Sequence, residues 1–474
     1  MVCWSYHTEM PAATEVDSAA VDLLVAGEWV LTMDAARTMF RDGAVAVRDG
    51  RIVDVGPVVE LERRWRPAHR LGGADRLVLP GFVNAHQHLT GDRLARSTIP
   101  DSVSSHEAIF DWAVPLHAAH TPDDEELSAT LGLVDAVTKG VTFTVEAGTV
   151  GHPERVLAAY DRVGVGGTLG SWGSDSVGLP FAGDVVAVLD RQRNVLDLAS
   201  GHPRVRGWVT LVGHDLMSDE LVVAASRMAA EAGTTLTFHL SPTAADAAAY
   251  LDRTGRRPVE HLDGLGTLGR HVLIAHGVHL ADAELDILVR TRTALASCPW
   301  AYLRLGQGGS RAGRHGAFLE RGGRLAIGCD AENAGDAVDV LRAAALSVGL
   351  ARDGGAALDR FGAHLALELA TIAGAEAIGL GAELGSLEVG KRADVVVVDT
   401  TGPAWTPPSP DPVLGLIWGA GPSVSDVVAS GRVVVEDRRC LTVDVDSIRD
   451  EAREASQRLL RAAGLDPRPA WPVR

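Results

Sequence analysis

From about residue 81 to 385 the chain alternates apolar, β-prone runs with helix-patterned stretches, and this rhythm restricts the fold more than any other feature. Strand candidates end at or near His86, Glu146, Ser171, His214, His239, His276, Cys298 and Asp330. The third runs from Val163 to Ser171. Helical patterns fill the gaps. Thr121 is placed as an N-cap before Pro122, with Asp123 and Asp124 in the first turn and Gly140 as the stop; a second helix is predicted from Asp219 to Glu231. Eight strands separated by helices are the count of a (β/α)8 barrel, so the fold class is α/β.

The flanks read differently. Residues 21–80 are predicted to be all-β, with Asp49-Gly50 between two β-prone runs as a hairpin turn. Strand character returns in Ala393 to Asp399 and Val427 to Glu436, and residues 445–464 carry a final amphipathic pattern. We therefore expect a tail over 1–20, one composite β domain from 21–80 plus 386–440, a barrel over 81–385, and a C-terminal helix and tail over 441–474. Pro403 to Pro412 reads as a loop.

A net charge of −18 argues against a nucleic-acid partner, since a phosphate backbone requires a basic surface. No apolar run approaches the roughly 18 residues that span a bilayer, so no membrane partner is expected. The four cysteines show no Cys-x-x-Cys spacing, which fits a reducing cytoplasm. A small-molecule substrate is the remaining class.

The strand ends carry the chemistry. Pro80-Gly81 breaks the apolar run Leu77 to Val83, which then delivers His86 and His88. Alternate residues of a strand share a face, so the two imidazoles point the same way. His-x-His alone is equally compatible with two ordinary loop histidines. His239, His276 and Asp330, however, stand at the C-terminal ends of later strands, where barrel active sites are built. Imidazole and carboxylate suit zinc or ferrous iron.

Leu79-Pro-Gly-Phe-Val-Asn-Ala-His-Gln-His, Ala275-His-Gly-Val-His-Leu, Ser297-Cys-Pro, Gly328-Cys-Asp and Gly385 to Asp399 together resemble the amidohydrolase superfamily, in its cytosine-deaminase-like and triazine-hydrolase-like (chlorohydrolase) branch. The resemblance spans about residues 20–465. It implies a distorted (β/α)8 barrel with a small β-sandwich formed by both termini, and a homo-oligomer, dimer or larger. It further implies that His86, His88, His239 and Asp330 hold one divalent metal per chain, zinc first, iron or manganese otherwise. His276 would be a catalytic histidine, and Asp330 would also take the proton of metal-activated water. His214 matches a substrate-contacting position, with a backbone-bonded strand-end histidine as the alternative. Trp300 and Tyr302 are candidates to stack on a planar substrate, or to pack beneath the loop.

The implied reaction is hydrolysis of a non-peptide carbon–nitrogen bond in a small nitrogen heterocycle or cyclic amidine or amide, of the deaminase type. One departure bears on it. Deaminases of this branch place Glu three residues after the strand-five histidine to shuttle a proton, and here that residue is Pro242. Glu146, and after it Glu332, are the candidate substitutes. Otherwise the leaving group is not ammonia or a ring is opened, or the chain is a metal-binding relative without turnover.

Overall fold

The computed structural model describes residues 19–91, 93–335, 338–421 and 423–473. The expected tail lies outside the described residues up to position 18; Ala19 and Ala20 already belong to a strand.

Both ends of the chain meet in one eight-stranded sheet. Ala19–Leu31 lies parallel to Trp65–Pro80 and antiparallel to Met39–Arg48, which pairs with Arg51–Pro57. The C-terminal Val395–Asp399 runs antiparallel along Trp65–Pro80, with Val397 opposite Val78, and is followed by Val424–Ala429 and Arg432–Glu436. The period of two sorts the side chains. Leu23, Val25, Val45, Val47, Val78 and Val397 share one apolar cluster, while Leu24, Ala26, Ala44 and Ala46 face another with Leu61. At the hairpin, Asp49 and Gly50 both take positive φ, 53° and 75°, as a two-residue turn of the right twist requires. The all-β expectation for 21–80 needs one correction. Val58–Arg64 is a helix, formed by a Val-Val-Glu-Leu-Glu-Arg-Arg run that buries Leu61.

The barrel strands are Phe82–Gln87, Val141–Glu146, Gly166–Leu169, Val205–Gly213 broken at Trp208, Leu236–Leu240, Val272–His276, Ala294–Ser297 and Arg324–Ile327. All neighbouring pairs are parallel. The third strand starts later than its composition predicts, because the preceding helix, Pro153–Val163, continues to Val163 and ends on Gly164 at φ 85°. Helices fall where capping places them. Pro122–Thr138 opens with a Thr121–Asp124 capping box and Asp219–Glu231 with Ser218.

Two seams join the strands into a ring. At one, the broken fourth strand pairs with the third strand before Trp208 and with the fifth after it. At the other, the amides of Cys329 and Asp330 donate to the His86 carbonyl at 3.0 and 2.9 Å. Asn84 reinforces that seam, its Oδ1 accepting from Cys329 N–H at 3.1 Å and its Nδ2 donating to Gln87 at 2.8 Å. Gly81 makes the crossing from sheet to barrel, where a Cβ would stand 2.0 Å from Thr142 Oγ1. The last helix, Val445–Ala462, buries Ile448, Ala455 and Leu459, and its Arg458 pairs with Asp124. No helix among the described residues is long and apolar enough to cross a membrane.

Since Asn84 is buried and its partners lie on both sides of the seam, Asn84→Ala is expected to destabilise the chain by about 2–3 kcal/mol, the cost of stranding buried backbone and amide groups. Chemical denaturation checks it; an unchanged midpoint would show that the seam does not depend on this side chain.

Candidate active site

The first strand ends at His86 and Gln87 with His88 just beyond it, the fifth carries His239 near its end, the sixth ends in His276, and the eighth leads into Asp330. The barrel brings all five together. Asp330 Oδ1 lies 3.6 Å from His86 Nε2 and 3.5 Å from His88 Nε2, and Asp330 Oδ2 lies 3.9 Å from His276 Nδ1. His88 Nε2 and His239 Nε2 are 3.2 Å apart. Donor atoms of His86, His88 and Asp330, and of His86, His239 and His276, fall within 4.8 Å of one another in each group.

The hydrogen bonds behind the cluster set its tautomers. His239 Nδ1–H donates to the Val212 carbonyl at 2.7 Å, which leaves a lone pair on Nε2. His88 Nδ1 is held by Thr149 Oγ1 at 2.9 Å, so its Nε2 also faces the cluster. Both ring nitrogens of the buried His86 lack a partner among the described residues. Burial, joined by the neighbouring imidazoles, keeps His239 well below the usual histidine range, and burial outweighs Asp330 in lowering His86. Burial also pushes His276 down to about 3. For Asp330, burial acts upward, but the surrounding histidines hold it well below the carboxylate range. Neutral imidazoles and an ionised carboxylate converging on one point are a donor set that fits a divalent cation.

The cluster lies at the floor of a cavity of about 340 Å³. His88, His239, His276 and Asp330 line it, as does His214, whose Nδ1 bonds Asp246 Oδ2 at 2.9 Å. The roof is a stretch of short helical segments, Ser105–Ala119, with a π-helical turn over Ala108–Ala113.

Four sequence candidates lie elsewhere. Glu146 does not line the cavity: it is in register with Gln87, whose side chain leaves the strand on the opposite side from His86 and His88. It accepts instead from the amides of Gly148 at 2.7 Å and Thr149 at 3.4 Å, and burial pushes it up to about 7. Tyr302 is buried behind His276, with ring centroids 5.8 Å apart, and its Oη accepts from Cys298 N–H. Trp300 lies beside Gly335, packed against the core and outside the cavity lining. Glu332 is also withdrawn, paired with Arg93 at 2.5 Å. Cavity residues that sequence reasoning passed over are Asp246, His117, Trp172 and Gln307. They sit on helices and loops, where no strand-end rule points to them.

The amidohydrolase family model matches residues 77–434. The chain belongs to the amidohydrolase family. A bacterial imidazolonepropionase-like composite-domain model also matches residues 43–68. This amidohydrolase is 30% identical over 445 residues to a 5-methylthioadenosine/S-adenosylhomocysteine deaminase of Syntrophobacter fumaroxidans, covering 92% of this chain and 98% of the relative. It is 32% identical over 426 residues to a protein of the same name from Natronomonas pharaonis, covering 88% and 93%. Among solved structures, an adenosine deaminase from Xanthomonas campestris with bound zinc superposes with a TM-score of 0.88 at 25% identity, covering 94% of this chain and all of the other. A zinc complex of an atrazine chlorohydrolase from Arthrobacter aurescens shares the fold, with a TM-score of 0.83 at 23% identity, covering 92% of this chain and 100% of that one.

Two expectations follow. Thr149→Val removes the partner of His88 Nδ1 and should weaken metal binding about 10- to 100-fold, read by competition with a chromogenic chelator. Because the folded-state pKa of Glu146 is raised from 4.5 to about 7, its stabilising contribution is full below pH 4.5 and lost as pH rises through about 7. Glu146→Gln should abolish that decline in unfolding temperature while leaving the inflections of the pH–rate profile in place; a lost inflection would return Glu146 to the chemistry.

Proposed function

We propose that this amidohydrolase hydrolyses the exocyclic carbon–nitrogen bond of a small aminated nitrogen heterocycle, releasing ammonia. The observation that carries the reading is the convergence of His86, His88, His239 and Asp330, the last three of which line the cavity, with His276 beside them. These four are the residues that would hold one divalent metal, zinc in preference to iron or manganese. When bound there, the metal supplies a Lewis acid and lowers the pKa of water towards about 7.

The chain's own residues supply the rest. Asp330, within 3.6 Å of two histidine nitrogens, is the group to accept a proton at Oδ1. His276, kept in place by the bond of its carbonyl to His315 Nε2 at 2.7 Å, faces the electrophile and stabilises charge that develops on it. His214 is oriented by Asp246, which also accepts from Ser241 N–H at 2.6 Å. Ile109, Phe110 and Val114 in the roof exclude water from the cavity.

Pro242 lines the cavity where deaminases of this branch carry their glutamate, and it can neither donate nor accept a side-chain proton. That observation favours a second reading, in which the leaving group departs without ring protonation and is not ammonia, or a ring is opened. The proposal also places the protein in the cytoplasm as a homo-oligomer; free Cys298, Cys329 and Cys440 are compatible with a reducing compartment.

Metal analysis combined with an ammonia-release screen over aminated pyrimidines, purines and triazines tests both readings. We expect about one zinc per chain, ammonia from at least one ring, and loss of turnover by at least about 10³-fold in Asp330→Asn. Near-native turnover in that variant would remove the site assignment. Metal with no ammonia, but with ring opening or halide release, would select the second reading.

A further inference from the structure

The cavity contains charge but none that is unbalanced. Asp215, Asp246 and Asp330 are its acidic lining residues. Asp215 is paired with Arg253 at 2.8 Å, Asp246 with His214 and the Ser241 amide, and Asp330 with the histidine cluster. Among the described residues no lysine or arginine lines the space. The guanidinium that approaches its wall, that of Arg304, is turned to the carbonyls of Ile99 at 3.0 Å and Asn333 at 2.5 Å and to Asp101 at 3.2 Å.

The walls away from the metal cluster are apolar: Ile99, Ile109, Phe110, Val114, Leu216 and Leu305. Ser105, His106, His117, Trp172, Gln307 and Asn333 interrupt them with polar groups. Gln307 is 5% exposed, and its Nε2 donates to Ser105 Oγ at 3.0 Å, which fixes the amide and leaves Oε1 buried without a partner among the described residues. Trp172, 3% exposed, likewise has an unpartnered indole N–H. Walls of this kind, largely apolar and without lysine or arginine, do not match an anionic group, which would lose its hydration and find no guanidinium or ammonium to pair with.

We propose that the substrate is an uncharged aminated heterocycle bearing an apolar substituent, and that compounds whose substituent ends in a carboxylate or phosphate are rejected. The proposal rests on the hydrolytic reading above and narrows it. It separates this chain from a substrate such as S-adenosylhomocysteine, whose tail carries an ionised amino acid.

Isothermal titration of the zinc-loaded protein with two matched pairs tests it: N-butylmelamine against N-(3-carboxypropyl)melamine, and 5-methylthioadenosine against S-adenosylhomocysteine. The neutral member of at least one pair should bind, and bind at least about 30-fold tighter than its charged partner, because an alkyl group gains by burial where an unpaired carboxylate loses. Leu216→Arg, which places a cation in the wall, should narrow that ratio to about threefold or less. A charged member bound as tightly as its neutral partner overturns the proposal. So does the failure of both neutral members to bind at millimolar concentration. Ammonia release, followed separately, keeps the two readings apart. Selective binding without ammonia would remove the deaminase reading and leave this one standing, whereas equal kcat/KM for both members of a pair would do the reverse.

Discussion

The convergence of four imidazoles and one carboxylate at the C-terminal ends of the barrel strands is the constraint around which the molecule is arranged. His239, held as the Nδ1–H tautomer by a backbone carbonyl, directs its Nε2 at a neighbour 3.2 Å away, with Asp330 alongside. Lone pairs brought so close repel one another and are costly to desolvate. Holding them there requires unusual backbone: His214, Ser241, His276 and Asp330 all take left-handed φ, 53°, 52°, 78° and 64°. Such conformations cost of order 1 kcal/mol or more each and persist only where the surroundings dictate them. Here the His214 amide is bound to the His239 carbonyl at 2.7 Å, and the amides of Val278 and His279 to the Ser241 carbonyl.

The terminal sheet serves the same end. Gly81 N–H donates to the Asp394 carbonyl at 2.9 Å, so the segment that turns into the first barrel strand is tied to the chain's C-terminal strand. His86 then receives two amides from beyond the eighth strand. A residue near position 80 and one near 330 are thereby positioned through a partner near 395, and the strand that delivers His86 and His88 is clamped from both ends.

What the sequence made legible follows from this arrangement. His86, His88, His239, His276 and Asp330 were visible because a strand end combines a short-range pattern, an apolar run, with a fixed direction for the side chain. Glu146 satisfied the same pattern and was misplaced, since the pattern does not reveal which face its strand turns inward; a bulge between Asn84 and Gln87 settles that through register. Trp300 and Tyr302 follow the seventh strand closely, yet they enter a helix, Pro299–Arg304, that carries them behind the wall. His117, Trp172 and Gln307 were unreadable for the opposite reason. Their segments are irregular, and their positions depend on contacts far apart in sequence, such as Gln307 with Ser105.

Position 242 shows how local chemistry and fold interact. The strand leaves His239, turns through Ser241 in left-handed backbone and passes Pro242, and the helix Ala244–Thr254 begins after Thr243. That first turn returns Asp246 towards the strand end, where one oxygen accepts from both the Ser241 amide and His214 Nδ1. Burial opposes its charge, but His214 and the amide outweigh it and hold Asp246 below the usual carboxylate range. The stretch therefore keeps an ionised acid at the cavity wall, seven residues after His239 rather than three. An acid so committed fixes a histidine ring more readily than it releases a proton, which is why the character of the leaving group, and not the integrity of the ligand set, is the property that Pro242 brings into question.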